Sequence, residues 1–121
     1  MSTIRFRPAD LANELSDPVA VPVPLDTPVS QVRWKSIAAS SNPQTRAGLW
    51  ECTPGRWRRQ IVQAEFCHFL EGECTFFPDE GPPVEISAGD VVYFSPNSGG
   101  TWDIRTTTRK IYIVFDEKSA P

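Results

Sequence analysis

Histidine is the scarcest chemically versatile residue, because the 121-residue chain has only one, His68. Transition-metal centres in proteins usually depend on two or three imidazole ligands. A nitrogen-rich iron, copper, nickel or zinc site within one chain is therefore excluded by count. The three cysteines (Cys52, Cys67 and Cys74) are odd in number and have no zinc or redox spacing. This pattern indicates reduced thiols in a reducing compartment.

Positive charge and long apolar runs are also scarce. The net charge of -3 disfavours a general nucleic-acid or anionic-membrane surface. No apolar run approaches the ~18 residues of a membrane span, and the N-terminal segment lacks the apolar core of a signal peptide. We expect a cytoplasmic protein with no nucleic-acid or membrane partner. One local exception is the arginine cluster Arg56, Arg58 and Arg59 around Trp57, which suits phosphate or base binding, although acidic residues follow it closely.

Proline and glycine divide the chain into two parts. All seven glycines lie at or after Gly48, whereas six of the twelve prolines precede it. The early prolines favour extended or polyproline geometry. We predict an extended arm over residues 1–31 and a single β domain over residues 32–121.

The arm alternates proline with valine or leucine. Val19, Val21, Val23 and Leu25 share one parity, which gives an extended segment one continuous apolar face. We expect the arm to pack on the β domain or on a partner subunit, with a homodimer as the assembly. Near the start of the arm, residues 8–15 favour one short helical turn.

From Gly48 onward the sequence reads as short strands at the 8 to 12 residue spacing of sandwiches and small barrels. Turns at PDEGPP and PNSGG, among others, separate them. With no convincing crossover helix, the pattern predicts an all-β protein with an antiparallel double sheet. The predicted strands are 47–52, 56–62, 65–71, 73–77, 84–87, 91–94, 101–106 and 109–115.

Two stretches have a recognisable spacing. The first runs from Gly55 through Glu65 to Gly72, and the second, GDVVYFSPNSGG, runs from Gly89 to Gly100. Together they resemble the two motifs of the cupin superfamily. That resemblance implies an RmlC-like jelly-roll barrel, the cupin double-stranded β-helix, over the predicted β domain.

A closer resemblance covers residues 32–115, with Trp50, Trp102 and Lys110 in corresponding places. The sequence looks like the small cupin family named after the (S)-ureidoglycine aminohydrolase cupin domain, which has ethanolamine-utilisation Q-type relatives. In metal-dependent cupins the first motif supplies two histidines and a glutamate, and the second supplies a third histidine. Here the first histidine pair is replaced by RQIVQ, and Thr101 or Trp102 stands where the third belongs. Only Glu65 of that ligand set is present.

We therefore expect no histidine-bound metal and no cofactor. A hard cation held by oxygen ligands including Glu65 is a less favoured alternative. An inward-pointing Glu65 needs a partner, so it is either an anchor or general acid-base group for a ligand, or a salt-bridge partner of Arg59 or Lys110. Strand alternation places Cys67 on the same face as Glu65 and His68 on the opposite one.

The neighbouring strands offer the rest of a candidate pocket. Trp57, Arg59 and Ile61 share one face of their strand, and Trp102 shares a face of a later strand with Ile104 and Thr106. If both faces turn inward, the pocket suits a small polar molecule carrying a carboxylate, amide or amine. Alternatively, the tryptophans are only core. The candidate ligand-binding set is Trp57, Arg59, Ile61, Glu65, Cys67, Trp102 and Lys110, with Glu65 as the candidate catalytic residue.

Three functions follow from these residues. The first is binding of a small polar molecule in the barrel without a histidine metal site. The second, implied by the resemblance, is a metal-dependent aminohydrolase with Glu65 as the acid-base residue. The third is a structural or accessory protein with a filled barrel.

Overall fold

The computed structural model describes residues 3–37, 42 and 44–116. Residues 1–2 and 117–121, the outer ends of the predicted arm and domain, lie outside the described residues. The first elements are α1 (Pro8–Ala12), β1 (Val19–Ala20), β2 (Gln31–Ile37), β3 (Arg46–Cys52) and β4 (Gly55–Ile61). They are followed by β5 (Ala64–Glu71), β6 (Glu73–Pro78), β7 (Val84–Ser87), β8 (Val91–Phe94), β9 (Ser98–Ile104) and β10 (Thr108–Phe115).

The strands form two antiparallel sheets. The first has the order β1-β2-β3-β10-β5-β8 and the second β4-β9-β6-β7. Successive side chains of a strand point to opposite faces of its sheet, so every second residue faces inward, and the two inner faces pack into one core. The predicted all-β jelly roll is confirmed. The buried apolar core is Val21, Cys52, Trp57, Ile61, Cys67, Phe69, Cys74, Phe76, Ile86, Phe94, Trp102 and Ile104.

β9 begins earlier than predicted. The sequence predicts a turn at PNSGG as far as Gly100, but the strand starts at Ser98, and neither Gly99 nor Gly100 has a positive φ. A Cβ at Gly100 would lie 2.6 Å from the Phe77 carbonyl oxygen and about as close to the ring of Phe76. This glycine therefore serves close packing rather than a turn. The same strand ends at Ile104, so Thr106 lies outside it, contrary to the predicted range.

The segment before β2 connects the two sheets. β1 pairs with β2, and farther along, the amide of Leu25 donates to the Arg56 carbonyl while the amide of Arg58 donates to the Val23 carbonyl. The chain thus passes from the edge of the first sheet to the edge of the second. Val21, near this crossing, is 4% exposed, but Val19, Val23 and Leu25 remain about half exposed. The expected apolar face is therefore covered at only one position within a single chain.

The outer face of the first sheet is covered unevenly. α1 packs against β3, where Leu11 and Leu49 are both buried. Strands β10, β5 and β8 present exposed or half-exposed side chains on the same face. Register places them in two rows, Ile113–Phe66–Tyr93 and Ile111–His68–Val91. Among the described residues, no helix is long and apolar enough to cross a membrane.

Candidate functional site

A cluster of charged side chains lies inside one end of the barrel, around Glu65. This carboxylate is 3% exposed, and Lys110 is 2% exposed. Lys110 Nζ donates to Glu65 Oε2 at 2.7 Å, and Arg59 donates to Glu65 Oε1 through Nη2. The Cys67 thiol donates to Oε2 at 2.7 Å. Both carboxylate oxygens are therefore engaged by donors from three strands.

Strand alternation brings these groups together. In β5 the side chains of Glu65, Cys67 and Phe69 are buried, whereas Phe66 and His68 are exposed. The predicted orientation, with Glu65 inward and His68 outward, is confirmed. β10 lies beside β5, with Lys110 opposite Phe69, so the lysine side chain must extend along the barrel to reach Glu65. The alternatives left open for Glu65 included salt bridges to Arg59 or Lys110, and the structure has both.

Aromatic rings surround the Lys110 ammonium. Its nitrogen lies 4.4 Å from the ring centroid of Trp50, 5.4 Å from that of Phe94, 5.5 Å from that of Trp102 and 5.8 Å from that of Phe69. The guanidinium of Arg59 lies 5.0 Å from the Phe94 centroid. A buried ammonium is costly unless it is paired, and the carboxylate together with the ring faces offsets that cost.

The electrostatics of the cluster favour binding over acid-base or nucleophilic chemistry. Burial acts to raise the pKa of Glu65, but the charges of Lys110 and Arg59 and the hydrogen bonds from Cys67 and Lys110 outweigh it and lower this pKa to about 2. An ionised carboxylate of such low pKa is a poor general acid or base near neutral pH. Burial raises the pKa of the Cys67 thiol to about 12, which leaves it protonated and unreactive.

A cavity of about 300 Å³ opens beside this cluster. That volume is at the small end of the ~300–1,000 Å³ range of ligand pockets. Trp34 of β2 pairs in register with Trp50 of β3, so both side chains lie on the inner face of the first sheet. The cavity is lined by Trp34, Ser36, Arg46, Trp50, Arg59, Glu65, Lys110, Tyr112 and Val114. We call these nine residues the mouth of the barrel.

Only part of the predicted ligand-binding set lies at the mouth. Arg59, Glu65 and Lys110 line it, and Cys67 contacts it through Glu65. Trp57 and Trp102 belong to the packed core instead, the alternative noted for tryptophan at these positions.

Sequence reasoning missed several mouth residues. Tyr112 and Val114 have the same strand parity as Lys110, a signal that was sufficient to find them. Trp34 lies in β2, for which the sequence predicted no strand, so no parity could be assigned to it. Ser36 is in the same strand, and Arg46 stands one residue before the predicted start of β3.

A second, larger cavity of about 590 Å³ lies near the free edges of β7 and β8. Ile61, Phe76 and Phe94 contribute apolar side chains, and Asp79 and Glu80 contribute acids. Predicted pocket residue Ile61 therefore lines this cavity and not the mouth.

The arginine cluster around Trp57 does not form a common surface. Arg56 donates to Asp26 at 3.4 Å, Arg58 binds Asp79 through two hydrogen bonds of 2.6 and 2.8 Å, and Arg59 points inward to Glu65. Trp57 is 7% exposed. Each guanidinium thus has a different acidic partner, and the indole is not available for stacking on a base.

The mouth does not fit the metal that its resemblance to metal-dependent cupins implies. Within the described ranges, no three histidine, cysteine, aspartate or glutamate side chains converge as ligands. Both Glu65 oxygens accept hydrogen bonds, and the Lys110 ammonium is 2.7 Å from one of them. A metal ion bound by Glu65 would have to displace that fixed positive charge.

Comparison with known proteins identifies the barrel. The model of the EutQ-like cupin domain matches residues 40–112. No curated protein matches the chain at a significant level. The solved structures that resemble it include a Pseudomonas syringae protein of unknown function from the DUF861 family, with a TM-score of 0.70 and 23% identity over 83% of this chain. The match covers 43% of that protein, so this chain spans less than half of its length.

Two ethanolamine-utilisation proteins have similar folds. The Clostridium difficile EutQ protein aligns with a TM-score of 0.64 and 20% identity, over 79% of this chain and 81% of that one. A putative EutQ protein from Salmonella typhimurium aligns with a TM-score of 0.61 and 20% identity, over 70% and 69% of the two chains. At such identities the likeness shows the fold alone. With the family match spanning more than half of its length, the chain belongs to the EutQ-like cupin domains of the cupin superfamily.

Proposed function

We propose that this cupin barrel binds one small polar molecule at its mouth, without a histidine-bound metal. The observation that carries the proposal is an open, aromatic-walled cavity beside a guanidinium with free donors. Glu65 accepts from a single nitrogen of Arg59, and no described residue accepts from the other two. The Arg59 side chain is 19% exposed, so these donors are accessible from the cavity.

Contacts within the chain hold the charged cluster in place. Arg59 and Lys110 are both held by Glu65, whose own position is fixed by the buried start of β5. Side chains that are ordered before binding lose less conformational entropy when a ligand arrives. This favours recognition of a small molecule that makes few contacts.

A panel of small acids, amides and amines tests this function by nuclear magnetic resonance of the tryptophan indole N–H signals. We expect at least one compound to shift the Trp34 and Trp50 signals, and Trp34→Leu to weaken its binding. Phe77→Leu is the matched control, because Phe77 is similarly exposed at 40% but does not line the mouth. A panel that leaves both indole signals unmoved would contradict the proposal.

The other two functions have less support at the mouth. Hydrolytic deamination, the activity that the resemblance to (S)-ureidoglycine aminohydrolase cupins implies, requires a metal that the mouth does not fit. A fully filled barrel describes the region around Trp102 but not the open cavity beside Arg59.

We also propose that a second copy of this chain covers the exposed rows of β10, β5 and β8. The six residues of these rows include two ionisable groups, the imidazole of His68 and the phenol of Tyr93. Two copies of a chain with a net charge of -3 repel each other weakly overall, so a contact is favoured where no further charge is buried. A largely apolar face without acidic residues, lysine or arginine lets two copies meet around a two-fold axis without burying such a charge, which favours self-association.

A further inference from the structure

The charges around the mouth are unbalanced. Arg46, Arg59 and Lys110 contribute three positive charges to its lining, and Glu65 contributes one negative charge. The lining therefore has a formal charge of +2, although the whole chain has a net charge of -3. A local field of sign opposite to the overall charge marks the mouth as attractive to anions.

The hydrogen-bonding groups show the same preference. Among the nine described residues of the lining, Glu65 is the only acid, and its two oxygens already accept from Arg59, Lys110 and Cys67. An amine entering the mouth would find no carboxylate with an unoccupied oxygen. A carboxylate would find the remaining N–H groups of Arg59, whose planar guanidinium binds carboxylates through paired hydrogen bonds.

The aromatic wall and the volume of the mouth limit the shape and size of the part of the ligand that lies beyond its carboxylate. Trp34, Trp50 and Tyr112 contribute three aromatic side chains to the lining. Trp34 is 39% exposed, and a flat ligand would cover part of this large apolar side chain. The small volume of about 300 Å³ favours a molecule of one ring or of similar size.

We propose that the molecule bound at the mouth is a small carboxylate with a flat apolar body. Arg59 receives the carboxylate, Arg46 at the rim strengthens the attraction, and the flat body lies against Trp34 and Trp50. This inference rests on the proposed function and narrows it from polar molecules in general to one chemical class.

Isothermal titration calorimetry with four probes tests the class: benzoate, benzamide, benzylamine and acetate. Benzoate, benzamide and benzylamine share a ring but differ in charge, whereas acetate keeps the charge without the ring. We expect benzoate to bind at least tenfold more tightly than benzamide, and benzylamine to bind most weakly. Acetate should bind more weakly than benzoate, because it leaves the indoles uncovered.

Two charge variants test whether benzoate binds at the mouth. Arg46→Gln should weaken benzoate binding several-fold, and Arg46 is exposed, so the fold tolerates the change. Lys35→Gln is the matched control, because it removes the same charge from β2 without lining the mouth. Its benzoate affinity should stay within twofold of that of the parent protein.

The outcomes separate this inference from the proposed function. If benzamide or benzylamine shifts the Trp34 signal and binds as tightly as benzoate, the carboxylate class is wrong and the proposed function stands. The class is also wrong if benzoate fails to bind while another panel compound does. If no compound of any charge binds, both the class and the proposed function fail.

Discussion

Two regions of the same barrel interior differ sharply in chemistry. The mouth places three cationic side chains and one carboxylate around an open cavity, whereas the interior beyond it is filled by Cys52, Trp57, Cys74, Trp102 and Ile104, all 7% exposed or less. We call this second group the filled half. Trp102 alone packs against four aromatic rings at centroid distances of 4.9 to 6.3 Å.

The difference shows that the two ends of a single strand contribute to different regions of the barrel interior. β10 contributes Thr108 to the buried interior and Tyr112 to the mouth, and β3 contributes Cys52 and Arg46 to the same two regions. Close packing stabilises the fold at one end. At the other end, the same strands leave space that side chains do not fill.

Replacing a tryptophan in each region should sharpen the comparison most. Trp102→Ala should lower the free energy of unfolding by about 3–5 kcal/mol, because it empties a fully buried site. Trp34→Ala removes the same side chain from an exposed position at the mouth and should cost about 1 kcal/mol or less. Urea denaturation followed by circular dichroism measures both, and equal losses would contradict the division into two regions.

Removing the central carboxylate tests the stability of the mouth itself. Glu65→Gln leaves Lys110 buried without its anion and should cost about 3 kcal/mol. Glu14→Gln, which breaks the exposed pair with Lys35, should cost under about 1 kcal/mol. The double variant Glu65→Gln/Lys110→Met should recover part of the loss, since no unpaired ammonium remains. A Glu65→Gln cost no larger than that of the surface control would make the cluster energetically unimportant.

Acid should lower the stability of the protein by removing the contribution of Glu65 at the mouth. The pKa of Glu65 is about 2 in the folded protein against an ordinary 4.5, so its stabilising contribution is complete well above pH 4.5 and disappears as the pH falls towards 2. Linkage predicts a loss of about 1 kcal/mol at pH 3.5 relative to neutral pH. The stability gap between the parent protein and Glu65→Gln should therefore narrow between pH 7 and pH 3.5. Denaturant midpoints at the two pH values measure this gap, and a constant gap would be the contrary result.

The smallest effect on stability is expected at the outer face of β5. Phe66→Lys should change the free energy of unfolding by only about 0.5 kcal/mol, since this side chain is 47% exposed. It should nevertheless shift the proposed dimer towards monomer in size-exclusion chromatography with light scattering. Phe77→Lys places the same charge on the outer face of the other sheet and should leave the assembly unchanged. A dimer that is equally stable in both variants would assign the interface to another surface.

The sequence predicted the fold well because alternation and turn residues are local signals. Seven of the eight predicted strands match β3 to β8 and β10 to within a residue, while β9 is displaced because its glycines favour a turn in the sequence pattern. β2 was missed because its apolar alternation is short: Val32 and Trp34 occupy two inward positions, but the polar Ser36 occupies the next one. Without β2, Trp34 could not be placed.

The site was harder to predict because it depends on contacts distant in sequence. Parity correctly predicted that Glu65 faces inward and left Arg59 or Lys110 as alternative partners, but only the fold shows that both bind it, 6 and 45 residues away. Trp57 and Trp102 have the parity expected of pocket residues, yet packing from the opposite sheet buries them. Parity gives the face of a strand, and only the paired sheets decide whether that face is filled or open.

The position of the Lys110 ammonium has one more consequence. A metal ion in a barrel is exchangeable: its occupancy depends on supply, and a chelator removes it. The positive charge facing Glu65 here is covalently attached to β10. Because it is part of the chain, this side chain cannot exchange with solvent ions and cannot be removed by a chelator.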